Sequence, residues 1–215
     1  MRTNLIKHKT AWVLVVMIVP LLAWLAVRAY ENKFEALPVY SNFANWDVKN
    51  DTTQLHGYVF QTQSGSDYSI QQTGHKIIVA NYFFARCPIV CPKMMKQLKK
   101  VQAAFLTDDN VQMLSFSVDP KHDSSAVLAQ FANRYQIQES KWRLLTGDKP
   151  QLYRLARNGF RVTATEGDGG ENDFIHSEQL ILLDPQGRIR GYYTGTEEKA
   201  VEQLIHDIKK LEHEL

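Results

Sequence analysis

The sequence predicts an α/β domain, a central mixed sheet flanked by helices, carried behind one N-terminal transmembrane helix. Three features of the 215 residues point there. Lys76 to Phe84 (KIIVANYFF) is an unbroken apolar run with β-branched and aromatic residues, the pattern of a central strand covered on both faces. Downstream segments alternate between strand patterns and apolar stripes of helical period. Ahead of them, Ala11 to Val27 (AWVLVVMIVPLLAWLAV) contains 17 residues without a charge, about 26 Å as a helix.

The flanks of that first segment suit a membrane. Arg2, Lys7 and Lys9 precede it, Arg28 follows it, and Trp12, Trp24 and Tyr30 fall near the two interfaces. The bias of positive charge leaves residues 1–10 in the cytoplasm and everything after Arg28 outside. Pro20 would kink the helix without preventing insertion. Val27-Arg28-Ala29 is a poor cleavage site, and the apolar run is longer than a signal peptide needs, so we expect an uncleaved anchor over residues 11–28. No Arg- and Ser-rich presequence points to mitochondria. The expected location is the bacterial cytoplasmic (inner) membrane, single-pass, with the C-terminal domain on the periplasmic side.

Residues 29–55 are polar and read as a tether, followed by a hairpin turning at Ser64-Gly65. After the Lys76–Phe84 strand, Pro92 suits a first helical position, so a helix should start at Cys91. Met95, Leu98, Val101 and Phe105 form its apolar stripe opposite Lys93, Lys96, Lys99 and Lys100. Val111 to Val118 is the next strand, ended by Asp119-Pro120, and Ser124 to Tyr135 the next helix, with Val127, Leu128 and Phe131 inward. This βαβ unit implies a parallel, right-handed crossover. Pro150 to Asn158 reads as a short helix closed by Gly159, and Phe160 to Thr163 as a short strand. Glu166 to Asp173 is acidic and glycine-rich, an exposed loop. Gln179–Leu183 and Ile189–Tyr193 pair around Asp184-Pro-Gln-Gly187, and a last helix from Thr196 carries Val201, Leu204, Ile205, Ile208 and Leu211. One domain, 56–215, with this element order is a thioredoxin-like arrangement.

Four of the 25 basic residues flank the anchor, leaving 21 against 23 acidic ones. A nearly neutral domain carries no nucleic-acid footprint. The only two cysteines, Cys87 and Cys91, sit in Ala85-Arg-Cys-Pro-Ile-Val-Cys-Pro92, where strand gives way to helix. A helix N-terminus stabilises thiolate, which suits redox chemistry or a soft metal. The Cys-x3-Cys spacing differs from the Cys-x2-Cys of thioredoxin-type exchangers. A bridge closing so short a loop would constrain the unfolded chain by only about 2 kcal/mol, a weak reason for a structural disulfide.

Strand, CPIVCP, helix, then Ser117-Val-Asp-Pro-x-x-Asp123, Leu144-Leu-Thr-Gly147 and Phe174-Ile-His-Ser-x4-Leu-Leu-Asp-Pro-x-Gly187 form a specific set. From roughly Gly57 to the C-terminus the chain resembles the Sco/SenC family of membrane-anchored copper proteins, which assist assembly of the dinuclear copper centre of cytochrome c oxidase. The resemblance implies copper, Cu(I) or Cu(II), held by Cys87, Cys91 and His176. It also implies a copper-receiving oxidase subunit as partner, with other copper chaperones or thiol reductants around it. Two thiolates and an imidazole suit Cu(I) and can hold Cu(II). Asp173 stands further from His176 than the family's Val-Asp-His-Ser context would have it.

Asp119 and Asp123 match family positions and read chiefly as a strand-ending turn and a helix cap. His8 falls on the cytoplasmic side and His206 and His213 in the terminal helix as solvated residues, while His56, His75 and His122 lie in predicted loops without partner spacing. Met94 and Met95 belong to the core more readily than to a metal, and a structural zinc site would need a fourth ligand. The alternative function is a thiol-disulfide oxidoreductase using Cys87 and Cys91 as its redox pair on an oxidase subunit or another copper protein. A peroxiredoxin lacks its Pro-x3-Thr-x2-Cys pattern here, and a non-catalytic tethered interaction domain is the bland remainder.

Overall fold

The computed structural model describes residues 12, 15–28, 36–40, 58–162 and 177–214. The chain divides into two units, Met1–Ala36 and Leu37–Leu215. In the first, residues 15–28 are helical, with Val16, Met17, Leu22 and Trp24 exposed and the Arg28 guanidinium 5.0 Å from the Trp24 ring. Among the described residues no helix is long and apolar enough to cross a membrane. Residues 11, 13 and 14 of the expected anchor lie outside the described set, as do the acidic loop 166–173 and His176. The expected tether is described only at 36–40.

Among its described residues, the second unit is built on a seven-stranded sheet. Its strands are β1 (Val59–Thr62), β2 (Asp67–Ser69), β3 (Ile77–Phe83), β4 (Val111–Ser117), β5 (Trp142–Thr146), β6 (Gln179–Leu183) and β7 (Ile189–Thr194). Their spatial order is β2-β1-β5-β4-β3-β6-β7. β3, β4 and β5 run parallel, while β6, β7, β1 and β2 join antiparallel. Helices α1 (Val90–Ala104), α2 (Ser125–Tyr135), α3 (Lys149–Arg154) and α4 (Glu198–Glu212) complete it.

The apolar run of β3 is covered on both sides, as its composition requires. Ile77, Val79 and Phe83 face α1, α2 and α4, joining Met95, Leu98, Leu128 and Leu204. Ile78, Ala80 and Tyr82 face the hairpin and α3, joining Phe60, Phe116 and Leu152. Burying each large apolar side chain contributes about 1.5–3 kcal/mol, so these two layers fix the orientation of β3 and of the loop that leaves it. A buried polar relay crosses the first layer. Trp142 Nε1 donates to Ser115 Oγ (2.7 Å), which donates to Asn81 Oδ1 (2.6 Å), and Asn81 Nδ2 lies 3.9 Å from Met94 Sδ.

Two expectations change. Trp142–Thr146 is a strand, inserted between β4 and β1, where the sequence showed no element. Phe160–Thr163 was expected as a strand, but residues 160–162 form none. Arg161 has φ 56°, a left-handed turn that breaks an extended run. Just before it, α3 continues into a π-turn over Leu155–Gly159. A Cβ on Gly159 would lie 2.7 Å from Leu155 Cδ1, so a larger residue there would have to displace the end of the Leu155 side chain.

Candidate metal and thiol site

β3 delivers its C-terminal end to the loop that carries Cys87. Ala85 N–H donates to Asp123 Oδ2 (3.1 Å) and Cys87 N–H to Phe84 O (3.2 Å), which bends the chain into α1. α1 starts at Val90, one residue ahead of the expected start, and its N-cap Ile89 offers no side-chain acceptor. A helix start leaves its first N–H groups without partners. Here a sulfur takes that place, with Cys91 N–H donating to Cys87 Sγ at 3.2 Å.

The two thiols are free and chemically unequal. Burial pushes the Cys87 thiol up, but the N–H groups of Cys91, Ile89 and Val90, with the Cys91 thiol, outweigh it and hold Cys87 below its ordinary value. Cys91 is only 4% exposed. Burial, with smaller contributions from Cys87 and the Asp123 charge, pushes it up to about 12, against a backbone hydrogen bond at Phe84. Cys87 is therefore the accessible nucleophile and Cys91 its protonated neighbour.

Both cysteines line a cavity of about 410 Å³, together with the apolar Tyr82, Phe84, Val90 and Val118 and the polar Ser177 and Glu178. The Ser177–Glu178 segment is held by Gly195, whose N–H donates to Glu178 O (2.8 Å). A Cβ on Gly195 would stand 2.9 Å from that oxygen. Ile89 and Val90, which lie between Cys87 and Cys91 in the chain, are exposed, an apolar stretch next to the reactive sulfur.

Asp123 was read as a cap, yet Ser124 is the N-cap of α2 and Asp123 is fully buried. Its Oδ2 accepts from Ser117 Oγ (2.6 Å) as well as from Ala85, while Oδ1 accepts no hydrogen bond from any described residue. Burial raises its carboxyl, opposed by the Ser117 and Ala85 hydrogen bonds. Only its match to a family position marks this residue in the sequence; composition and spacing do not separate it from an ordinary pre-helical aspartate. Asp119 does shape a turn, and it pairs with Arg86 (2.8 Å) and His122 (2.8 Å) on the surface beside Cys87.

His176 lies outside the described residues, and so do His8 and His56. Met94 and Met95 are fully buried in the core. His75, His122, His206 and His213 are exposed. Among the described residues, no three His, Cys, Asp or Glu side chains gather into a metal cluster.

The SCO1 protein homolog of Bacillus subtilis strain 168 is 27% identical over 158 residues, 73% of this chain and 81% of that protein. A solved structure of BsSco, described as a member of the Sco family of cytochrome c oxidase assembly proteins with a disulfide switch, superposes with a TM-score of 0.64. It is 26% identical and covers 75% of this chain and 95% of that one. Bradyrhizobium japonicum ScoI, solved with copper bound, shares the fold at a TM-score of 0.56 and 21% identity, over 69% of this chain and 96% of its own. Residues 48–213 match the SCO1/SenC family profile, and with the sheet, the helix-terminal thiols and these likenesses in place, the chain belongs to the SCO1/SenC family.

Proposed function

We propose that this protein is a membrane-anchored copper carrier that holds one copper ion through Cys87, Cys91 and His176. It passes the ion to the copper-receiving subunit of cytochrome c oxidase during assembly of the dinuclear copper centre. One observation carries the reading: the cavity that both cysteines line is also lined by Ser177, the residue after His176. Consecutive Cα atoms are about 3.8 Å apart, which supports an imidazole within reach of the two thiolates. Family membership and the copper held by the related ScoI add to it.

The donor set suits the cargo. Thiolates and one imidazole favour Cu(I), and a three-ligand site at an open cavity leaves room for an acceptor's sulfur or nitrogen to enter before the carrier's ligands leave. Residues 11–28 serve as the anchor in this reading, supported by the exposed apolar side chains of residues 15–28 and the basic residues before them. Residues 1–10 are then cytoplasmic and the Sco-type domain, 56–215, faces the periplasm of a bacterium. Copper-donating chaperones and thiol reductants are its other partners.

The test is a copper titration of the reduced full-length protein and its His176→Ala variant. One copper per chain is expected, with affinity falling more than about tenfold on losing the imidazole, roughly 1.4 kcal/mol or more. Equal affinity in the variant overturns the ligand set.

The unequal thiols favour a second reading, thiol-disulfide exchange. Cys87 thiolate attacks a partner disulfide, one partner thiolate leaves, and Cys91 closes the protein disulfide as the second partner thiol departs. Copper-free protein would then reduce such a disulfide equally well with and without His176.

A further inference from the structure

Residues 37–40 take no part in the site, yet they are tied to the domain at several points. Tyr40 N–H donates to Ile189 O (3.0 Å), extending the edge of β7 by a strand-like contact. Leu37 N–H donates to Glu214 Oε1 (2.8 Å). Arg190 Nη2 donates to Leu37 O (2.6 Å) and Nε to Pro38 O (3.2 Å). This guanidinium is 5% exposed and is held in turn by Asp184 (3.2 Å) and Glu214 (2.6 Å). Leu37 packs against the core layer of α1 and α4, and the Tyr40 ring meets Tyr192 edge-on at 5.4 Å. A buried cation with two carboxylates and two main-chain carbonyls is a fixed fitting, since releasing the carbonyls would leave its donors unsatisfied.

The fitting sits at a defined end of the sheet. Leu183, at the end of β6, is in register with Ile78, and Ile189 pairs with Leu183. That is the start of β3, whereas Cys87 follows its finish. Seven residues of β3 separate the two poles by about 20–23 Å.

We propose that Arg190 and Glu214 clamp residues 37–40 as a strap, so that the leash between the anchor and the domain is residues 29–36 alone, joined at the pole opposite Cys87 and Cys91. The leash rests on the anchor assigned under Proposed function; the strap does not. Eight residues reach at most about 28 Å, whereas the whole stretch from 29 to 57 would reach about 100 Å. Leash and sheet together hold the thiols within roughly 50 Å of the bilayer. That range suits an acceptor fixed in the same membrane whose receiving thiols or imidazoles stand in an extramembrane domain.

Two insertions test it in the full-length protein reconstituted in phosphatidylcholine vesicles. A flexible Gly/Ser linker of about 20 residues, with a root-mean-square length of roughly 25 Å, is placed after Ala36 or after Tyr40. Energy transfer from a fluorophore at Lys121→Cys, in a Cys87→Ser/Cys91→Ser background, to labelled lipid headgroups reports the stand-off. The insertion after Ala36 should lower transfer and the one after Tyr40 should leave it unchanged, until Arg190→Ala or Glu214→Gln frees the strap. Equal effects of the two insertions overturn the proposal. Failure of the uninserted protein to sediment with vesicles refutes the anchor and with it the leash. The strap is then judged separately by hydrogen exchange at Tyr40 N–H, which should be slow in the parent and faster in Glu214→Gln; fast exchange in the parent overturns it.

Discussion

Alkylation of the copper-free protein should label Cys87 long before Cys91. A thiol at the ordinary 9.0 is about 1% ionised at pH 7, and Cys87 is held below that value. Cys91, pushed up to about 12, is ionised to roughly one part in 10⁵, a gap of at least about a thousandfold. The rarer thiolate is the stronger nucleophile, and a Brønsted slope of about 0.45 over three units returns roughly twentyfold to Cys91. Ionisation alone therefore leaves about a fiftyfold rate difference, and the burial of Cys91 can only widen it. The assay is limited iodoacetamide labelling from about pH 6 to pH 10, with both sites quantified by peptide mass spectrometry. Cys87 should rise to a plateau within that range while Cys91 keeps climbing. Rates within tenfold of each other at pH 7, or a shared midpoint, would refute the capping of α1 by the Cys87 sulfur as the source of the asymmetry.

Asp123→Ala removes the acceptor of Ala85 N–H and Ser117 Oγ and should lower unfolding free energy in urea by about 2–4 kcal/mol. Asp123→Asn keeps an acceptor but removes the charge that helps raise Cys91, so Cys91 should alkylate faster near pH 9 with most stability retained; an unchanged rate would break that electrostatic link. At the other pole, burial and then the Asp108 carboxylate push Glu212 up to about 7. An acid raised in the folded state contributes stability that is complete below its unfolded value and lost as pH rises through the folded one. The melting temperature should therefore fall between about pH 5 and pH 8, and Glu212→Gln should flatten that slope. Asp108, lowered chiefly by its hydrogen bond with Glu212, titrates below this window and does not mask the effect.

The elements read correctly from sequence are those whose burial pattern is local. β3 is buried on both faces and is apolar throughout; α4 buries Val201, Leu204, Ile208 and Leu211 on one stripe, and the β6–β7 pair turns at Asp184–Gly187. β5 fails that test because Trp142-Arg-Leu-Leu-Thr146 is short and lacks alternation. It is a strand because β4 and β1 flank it and Trp142 pairs with Met113. Phe160–Val162 has strand-like residues, but its hydrogen bonds go elsewhere: Tyr192 Oη donates to Phe160 O and Val162 N–H to Ala156 O. Cys87 and Cys91 are visible as candidates because the strand-to-helix transition brackets them. Their inequality is not, since it depends on which thiol faces the α1 N–H groups and which faces the core. Asp123 and Arg190 act on residues 38 and 152 positions away, respectively, a separation that periodicity does not register.

Under the proposed function, this inequality would bear directly on copper transfer. A copper carrier must release its cargo, and at these two thiols the proton would be the competitor. Cys87 gives up its proton readily because the start of α1 already supplies donors to the sulfur. Cys91 favours its protonated form, because its surroundings are apolar and the nearby Asp123 charge opposes a second anion. Below its pKa, each pH unit weakens apparent metal affinity about tenfold for the proton Cys91 must lose. In the proposed site, copper bound by this pair would be held against a standing tendency of one ligand to revert to thiol. An acceptor whose ligands are already deprotonated needs no greater intrinsic strength to draw the ion away.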